Sequence, residues 1–509
     1  MQAESSATGP DLALGVPLDD LREGSMLVGH VGGTSVLLAR RGDEVLAIGA
    51  ECSHYHGPLG EGLLVDDTVR CPWHHACFSL RTGEALRSPA IDPVSCWRVE
   101  IIDGKAFVRE RIEPRGRPAV ASTQADRIVI VGGGAAGFAA AEMLRREGFA
   151  GQITMLSTDT APPCDRPNLS KDYLAGTAPE DWIPLRPTDF YADHGIDLQL
   201  RTEVGAIDAA RREATLIDGR VLSFDKLVLA MGAEPVRLSI PGAGEPHVHT
   251  LRSLDDSRAI IAGAANAQCA VVIGASFIGL EVAAALRTRG LEVDVVAPGQ
   301  IPMARVLGPE LGTFVRALHE EHGVRFHLGQ TVVGIERRIV QLSGGSTLEA
   351  DLVVVGIGVR PRVDLARRAG LAVDGGVMVN EYLETSAPHI FAAGDIASWP
   401  DRRTGQPIRV EHWVVAERHG QAVARNILGR HERFAEAPFF WSQHYDVPIN
   451  YVGHAQGWDG IEIYGDIAAR DCLVRYRRNG RALAIASIYR DVENLKSEVA
   501  MERENGAAA

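Results

Sequence analysis

The sequence predicts a multi-domain fold: an all-β N-terminal module, two tandem Rossmann-like α/β units and a small α+β C-terminal domain. Three observations carry it. Two loops set among short alternating strand segments each pair a cysteine with a histidine, Cys52-x-His54 and Cys71-Pro-Trp-His74. Two later segments each read as an apolar strand, a glycine-rich turn and an amphipathic helix. The 509 residues, 46% of them hydrophobic, exceed what one core can organise and imply roughly three or four domains.

Composition narrows the function classes. A formal net charge of −14 without clustered Lys or Arg argues against nucleic acid as a partner. No stretch approaches ~18 consecutive apolar residues, and "MQAESSATGPDLALG" has neither a basic nor an apolar leader region, so neither a membrane span nor a secretory signal is expected. A cytoplasmic location follows as the expectation. Seven irregularly spaced cysteines do not make a disulfide framework, and a reducing compartment leaves thiolates available for metal.

The N-terminal loops, between strand signals such as "SVLLAR" and "EVLAIGA", each offer one thiolate and one imidazole. Zinc fingers order their ligands differently, whereas two Cys-His loops suit a [2Fe–2S] cluster with cysteines on one iron and histidines on the other. Structural zinc is the alternative. Neutral imidazoles in place of two thiolates lower the negative charge around such a cluster and ease its reduction. Over residues 16–112, through "CSHYHGPL" and "CPWHHACF", the sequence resembles the Rieske ferredoxin family, whose ligand positions fall on Cys52, His54, Cys71 and His74. High-potential members carry a further cysteine in each loop; here the nearby positions are Gly57 and Ala76, which favours the low-potential branch. His56 and His75 stand where small residues are expected. They would tune the cluster or relay protons, or more simply face solvent as loop histidines. Cys77 reads as a packed thiol.

The segment 113–126, "EPRGRPAVASTQAD", is rich in Pro, Ala and polar residues without an apolar period, and reads as a linker. Directly after it, "RIVIVGGGAAGFAAAEMLRREG" supplies the first strand-turn-helix. Gly132 permits the tight turn, Gly134 lets backbone approach a pyrophosphate, and Gly137 allows close helix packing, with Ala136 in the same turn. The helix N-terminus faces the phosphate charge. Asp159, ending the next strand region, is the available carboxylate for a ribose hydroxyl, although it lies beyond the usual spacing. The second copy, "AVVIGASFIGLEVAAALRTRG", places Gly274, Ser276 and Gly279 at the motif positions. The Ser276 side chain restricts pyrophosphate approach. Its next strand ends in Ala297-Pro298, where an acid would select NAD, and no arginine stands immediately beside it to select NADP.

The order of the first motif, "CDRPNLSK", the second motif and "HIFAAGDIA" resembles FAD- and NAD(P)-dependent ferredoxin reductases and the apoptosis-inducing-factor-like proteins, from Arg127 to about Ala500. With the leading module, the chain is similar to the Rieske-bearing, apoptosis-inducing-factor-like subgroup. That resemblance implies an FAD domain in two parts, 127–252 and 376–432, an NAD(P) domain at 253–375 and a C-terminal reductase domain at 433–502. It implies that Gly394-Asp395 contacts the flavin's ribityl chain, that Arg166 and Lys171 line the flavin site, and that Lys171 pairs with Glu281 as the catalytic pair near the reactive nitrogen. His412, Trp413 and Trp441 are expected near the flavin, though packing alone would also explain them. Cys164 replaces the family's usual aromatic.

The cofactors expected are therefore FAD, a Rieske-type [2Fe–2S] cluster and NAD(H) or NADP(H). A nicotinamide gives two electrons as a hydride and the cluster takes one at a time, so a flavin is the converter between them. The expected enzyme is an NAD(P)H-dependent flavoprotein oxidoreductase, monomer or homodimer, serving a one-electron acceptor protein or oxygenase component. The alternative is a redox sensor or binding protein of slow turnover. A disulfide reductase would need a cysteine pair after the first motif, and an oxygenase terminus a His/Asp/Glu iron triad; neither is found.

Overall fold

The computed structural model describes residues 9–113 and 125–506. The expected linker lies outside the described residues over 114–124. The chain divides into two compact units, Met1–Pro118 with Arg490–Ala509, and Ala119–Tyr489.

The first unit is built on a six-stranded antiparallel sheet in the order Val16–Pro17, Lys105–Ile112, Cys96–Ile102, Glu44–Gly49, Thr34–Arg41, Met26–Val31. Its central hairpin is buried on both faces, and the two-residue side-chain period sorts it into two cores. Leu37, Ala39, Ile48 and Ala50 enter the core shared with Cys52 and Cys71, while Val36, Leu38, Val45 and Ala47 enter the other. Each fully buried Leu or Ile contributes about 1.5–3 kcal/mol, so both faces are strongly specified. A four-stranded antiparallel sheet, Leu63–Val65, Thr68–Arg70, Cys77–Ser79 and Ala85–Arg87, supplies Val69, Phe78 and Ala85 to the first core. The helix Asp491–Asn505, expected within a C-terminal domain at 433–502, falls in this unit rather than with the strands that precede it. It buries a mixed stripe at helical spacing, Asn494, Glu498, Met501 and Asn505 beside Leu495, Val499 and Glu502.

The second unit contains two five-stranded parallel sheets. The first runs Ile196–Gln199, Gln152–Leu156, Arg127–Val131, Lys226–Leu229, Ile390–Ala392. The second runs Val248–Thr250, Leu352–Val355, Cys269–Ile273, Glu292–Ala297, Val324–Leu328. Strands covered on both faces read as continuous apolar runs, which is why "RIVIV" and "CAVVI" do not alternate. The first sheet closes only when Ile390–Ala392 pairs with Lys226–Leu229, after the whole second sheet has been inserted. Val248–Thr250 pairs with Leu352–Val355, so the crossing into the second sheet comes before residue 248 and not after 252. The helix Ala135–Arg146 crosses Trp413–Ile427 at very small residues: a Cβ on Gly420 would meet Ala136 O at 2.3 Å. An antiparallel sheet, Phe439–His444, Val447–Gly453, Arg481–Ile488, Asp471–Arg478 and Gly460–Asp466, completes the unit. Among the described residues no helix is long and apolar enough to cross a membrane.

Candidate functional site

A cleft of about 2440 Å³ in the second unit is lined by both glycine turns. In the first turn Gly132 has φ +120°, and a Cβ there would stand 2.2 Å from Ala230 O. A Cβ on Gly137 would meet Gly132 O at 1.9 Å, which lets the helix Ala135–Arg146 start hard against the strand Arg127–Val131. Gly134 is different: a Cβ there would meet nothing nearer than the Arg166 guanidinium at 3.8 Å, so its backbone borders open cleft. The second turn repeats this geometry. Gly274 has φ +113°, a Cβ on it would stand 2.2 Å from Gly356 O, and one on Gly279 would stand 2.2 Å from Gly274 O. Ser276 occupies the position of Gly134 and donates its hydroxyl to Gly356 O at 3.2 Å.

Every expected flavin or nicotinamide residue lines this cleft except Gly137 and Gly279, which lie beneath the turns and set the helix packing. That includes Ala136, Asp159, Arg166, Lys171, Glu281, Gly394, Asp395 and Trp413, with His412 and Trp441. Several charges in the cleft are paired. Arg166 donates to Asp159 at 2.8 Å and lies beside Gly134, so the Asp159 carboxylate is shared between that guanidinium and any ribose. Arg252 donates to Asp395 Oδ2 at 2.7 Å, and Arg409 to Asp395 O at 3.0 Å. Lys171 Nζ donates to Glu281 Oε2 at 2.9 Å and to Pro167 O at 3.1 Å. Glu281 is only 5% exposed, and it also accepts from Ser170 (2.6 Å) and Ser442 (2.6 Å). Three donors converging on one buried carboxylate offset its lost hydration.

Sequence reasoning did not find the groups behind Glu281. Ser442 Oγ lies 3.2 Å from His444 Nε2, and His444 Nδ1 lies 3.2 Å from His319 Nε2. Both imidazoles are fully buried, and burial lowers both pKa values, that of His444 to about 3, so both are neutral near pH 7. Arg252 and Ser170, which line the cleft, were missed as well. Glu417, one turn after Trp413, has its carboxyl pKa pushed well up by burial. No local signal distinguishes these residues, because they come from separate elements that only the fold assembles. Cys164 is a buried thiol whose pKa burial pushes up to about 11, which makes it unreactive.

The cleft fits FAD and a nicotinamide nucleotide. Two left-handed glycine turns each bring a helix N-terminus to the cleft wall, open at Gly134 and narrowed by the Ser276 side chain in the second, and cation–carboxylate pairs line the same cleft.

In the first unit the loops Cys52–Gly57 and Cys71–Ala76 come together. His54 Nδ1 and His74 Nδ1 are 3.2 Å apart, and the two buried thiols hydrogen-bond to each other, which lowers the Cys71 pKa and raises that of Cys52. Among the described residues no three His, Cys, Asp or Glu side chains group around a single ion. A thiol pair plus an imidazole pair fits a two-iron cluster, one pair to each iron, better than one tetrahedral zinc. A Cβ on Gly57 would stand 2.8 Å from Cys71 Sγ, so this loop has no room for the extra cysteine of the high-potential branch. His56 is exposed, as a loop histidine should be. His75 is not: it is fully buried, correcting the simpler expectation of a solvent-facing side chain. Among the described residues all seven cysteines are free.

Residues 126–420 match the pyridine nucleotide-disulphide oxidoreductase family, 15–98 the Rieske [2Fe-2S] domain and 439–508 the reductase C-terminal family. Apoptosis-inducing factor 3 of Homo sapiens is 33% identical over 493 residues, covering 93% of this chain and 81% of that protein. Putidaredoxin reductase CamA of Pseudomonas putida is 36% identical, covering 74% and 92%. The ferredoxin–NAD(+) reductase component of the anthranilate 1,2-dioxygenase system of Burkholderia cepacia is 35% identical, covering 72% and 91%. The crystal structure of the covalent putidaredoxin reductase–putidaredoxin complex superposes with a TM-score of 0.72 at 36% identity, over 74% of this chain and 93% of that one.

Proposed function

The chain belongs to the pyridine nucleotide-disulphide oxidoreductase family as an FAD-dependent, ferredoxin reductase-type enzyme with its own Rieske domain, and from that premise we propose an internal circuit. In it the chain takes electrons from NAD(P)H at the FAD site, passes them singly to its own [2Fe–2S] cluster, and delivers them to a one-electron acceptor protein or oxygenase component. The observation that supports this best is the single cleft holding two glycine turns, in a chain that also carries two Cys-His loops. A flavin supplies the conversion between a two-electron hydride and one-electron exits.

The chain's own residues do the rest. Gly132, Gly134 and Gly137 would seat the flavin pyrophosphate on the first helix N-terminus, with Asp395 held toward the ribityl chain by Arg252. Gly274, Ser276 and Gly279 would seat the nicotinamide nucleotide. Oxidising NAD(P)H by two one-electron exits leaves one proton to be handled. Lys171 Nζ and the Glu281 carboxylate are placed to hold it, with Ser442 donating to Glu281 Oε1 and the neutral imidazoles of His444 and His319 packed behind. Relatives named as reductase components of dioxygenase systems support a protein acceptor. The chain carries one 2Fe-2S module of its own where the putidaredoxin complex joins two proteins.

Anaerobic titration with NADH and with NADPH, followed by absorbance and low-temperature electron paramagnetic resonance, tests the circuit. The flavin bands should bleach and the reduced-cluster signal should then appear. Complete bleaching with the cluster still oxidised would refute internal transfer.

A further inference from the structure

The two cluster loops are built on one backbone plan. In each, the cysteine N–H donates to the carbonyl five residues on, Cys52 to Gly57 at 2.9 Å and Cys71 to Ala76 at 2.8 Å. In each, the fourth residue after the cysteine is a histidine in the left-handed region, His56 with φ +58° and His75 with φ +62°, whose N–H donates back to the cysteine carbonyl. Their surroundings differ completely. The His56 side chain is 81% exposed, with Glu51 at 3.7 Å, whereas the His75 side chain is 0% exposed, with Glu498 Oε2 at 3.1 Å.

Glu498 lies on the helix Asp491–Asn505, which belongs to the same unit. Its Oε2 also accepts from Arg70 at 3.0 Å, and Arg70 immediately precedes Cys71. Arg70 lies 2.9 Å from Glu502 Oε2, and Glu502 accepts from Arg87 as well. Two cations and two carboxylates therefore meet at the root of one cluster loop and not the other, with Arg70, Glu498 and Glu502 almost fully buried and Arg87 partly so. A well-packed apolar contact would fasten the helix at least as well, so stability alone does not account for buried charge here. Charge in a low-dielectric setting acts over distance, and Arg70 and His75, which hold this carboxylate, flank the loop that carries the ligands Cys71 and His74.

We propose that Glu498 is a positioning residue for the cluster: through His75 and Arg70 it fixes the second loop, and its buried negative charge holds the reduction potential down. This rests on the reading that Cys52, His54, Cys71 and His74 hold a [2Fe–2S] cluster. Counted alone, Arg70, Arg87, Glu498 and Glu502 carry two charges of each sign. Glu498→Gln leaves the group one positive charge in excess, which favours the added electron, and Arg70→Gln leaves one negative charge in excess, which opposes it. Removing both restores neutrality.

The test is the midpoint potential of the cluster in full-length, flavin-loaded protein, read by electron paramagnetic resonance in a redox titration. E498Q should shift the reduction equilibrium about tenfold toward the reduced form, ~59 mV for one electron, and R70Q the other way. Glu498→Asp should stay near the parent. The E498Q/R70Q double variant should return toward the parent, although it disturbs the packing most; a purely structural role predicts the reverse. Unchanged potentials in loaded single variants, or shifts of the same sign in both, overturn the proposal. Where a single variant fails to load, the double variant decides: a parent-like potential supports the proposal and a displaced one overturns it. Iron and acid-labile sulfide in the parent protein register the cluster assignment separately, and their absence would remove that assignment and the proposal with it.

Discussion

The two glycine turns of the cleft are nearly superimposable in what they forbid, yet they are furnished for different tasks. Gly132 and Gly274 share a left-handed φ and the same 2.2 Å backbone approach, and Gly137 and Gly279 let both helices start tight against their strands. Around the first turn stand the pairs Arg166–Asp159 and Arg252–Asp395, with the helix Trp413–Ile427 packed on Ala136 at Gly420 and Gly394 lodged between Ala136 and Ala416. The second turn opens on exposed Ser276 and on exposed Pro298, Gly299 and Gln300. Identical backbone constraints thus suit a phosphate in both places. On the proposed function, the side chains around them serve a resident group in the first and an exchanging one in the second.

The strongest way to break this comparison is to obstruct each turn in the same manner. Gly132→Ala puts a methyl against Ala230 O in a left-handed backbone, at about 3 kcal/mol or more, and should yield protein with at least tenfold less bound FAD by absorbance. Gly274→Ala, with the same geometry, should keep its FAD and slow bleaching by nicotinamide at least tenfold in stopped flow. Equal FAD loss in both would show that the turns do not serve separate nucleotides.

The bridge between the two halves comes next in size, because Glu281 lies on the helix of the second turn and Lys171 follows the first. Lys171→Met or Glu281→Leu alone leaves a buried charge without its partner and should cost about 3–5 kcal/mol in denaturant unfolding. The double variant should lose markedly less than the sum. Simple additivity would remove the pair from the account.

A pH series sharpens the comparison on the Glu281 side. Folding lowers the His444 pKa from 6.5 to about 3, so the native state binds fewer protons than the unfolded chain. The stability that this neutral imidazole contributes is complete above about pH 6.5 and is lost as pH falls toward 3, at no more than about 1.4 kcal/mol per pH unit. His444→Asn should flatten that slope, measured as Tm between pH 4 and 7; an unchanged slope would place the acid sensitivity elsewhere. The smallest effect belongs to the one motif position where the turns differ. Ser276→Gly gives up a hydrogen bond worth about 1 kcal/mol but lets pyrophosphate approach, and should lower KM for the nicotinamide by less than about fivefold.

Much of this was legible because local chemistry dictates it. A dinucleotide turn needs glycines at fixed spacing after an apolar strand, and Gly132, Gly134, Gly137, Gly274 and Gly279 announce it without neighbours. Cys52, His54, Cys71 and His74 are likewise set by the spacing of two short loops. What stayed hidden depends on meetings between distant segments. Arg252 reaches Asp395 across 143 residues, and Ser442 reaches Glu281 across 161. His75 looked like an ordinary loop histidine because the carboxylate that faces it, Glu498, stands in a helix whose sequence reads as a plain charged segment. The strand Val248–Thr250, which pairs in the second sheet, is too brief to show a period of its own.

The late closure of the first parallel sheet bears on how the polypeptide is made. Leu227 must wait for Ile390 before its strand is covered on both sides, while the intervening sheet has every strand it needs and can mature first on the ribosome. Until then Lys226–Leu229 is an apolar edge open to pairing with another nascent chain. Premature termination ahead of His389 would leave that edge permanently bare, turning an unfinished translation product into a seed for aggregation.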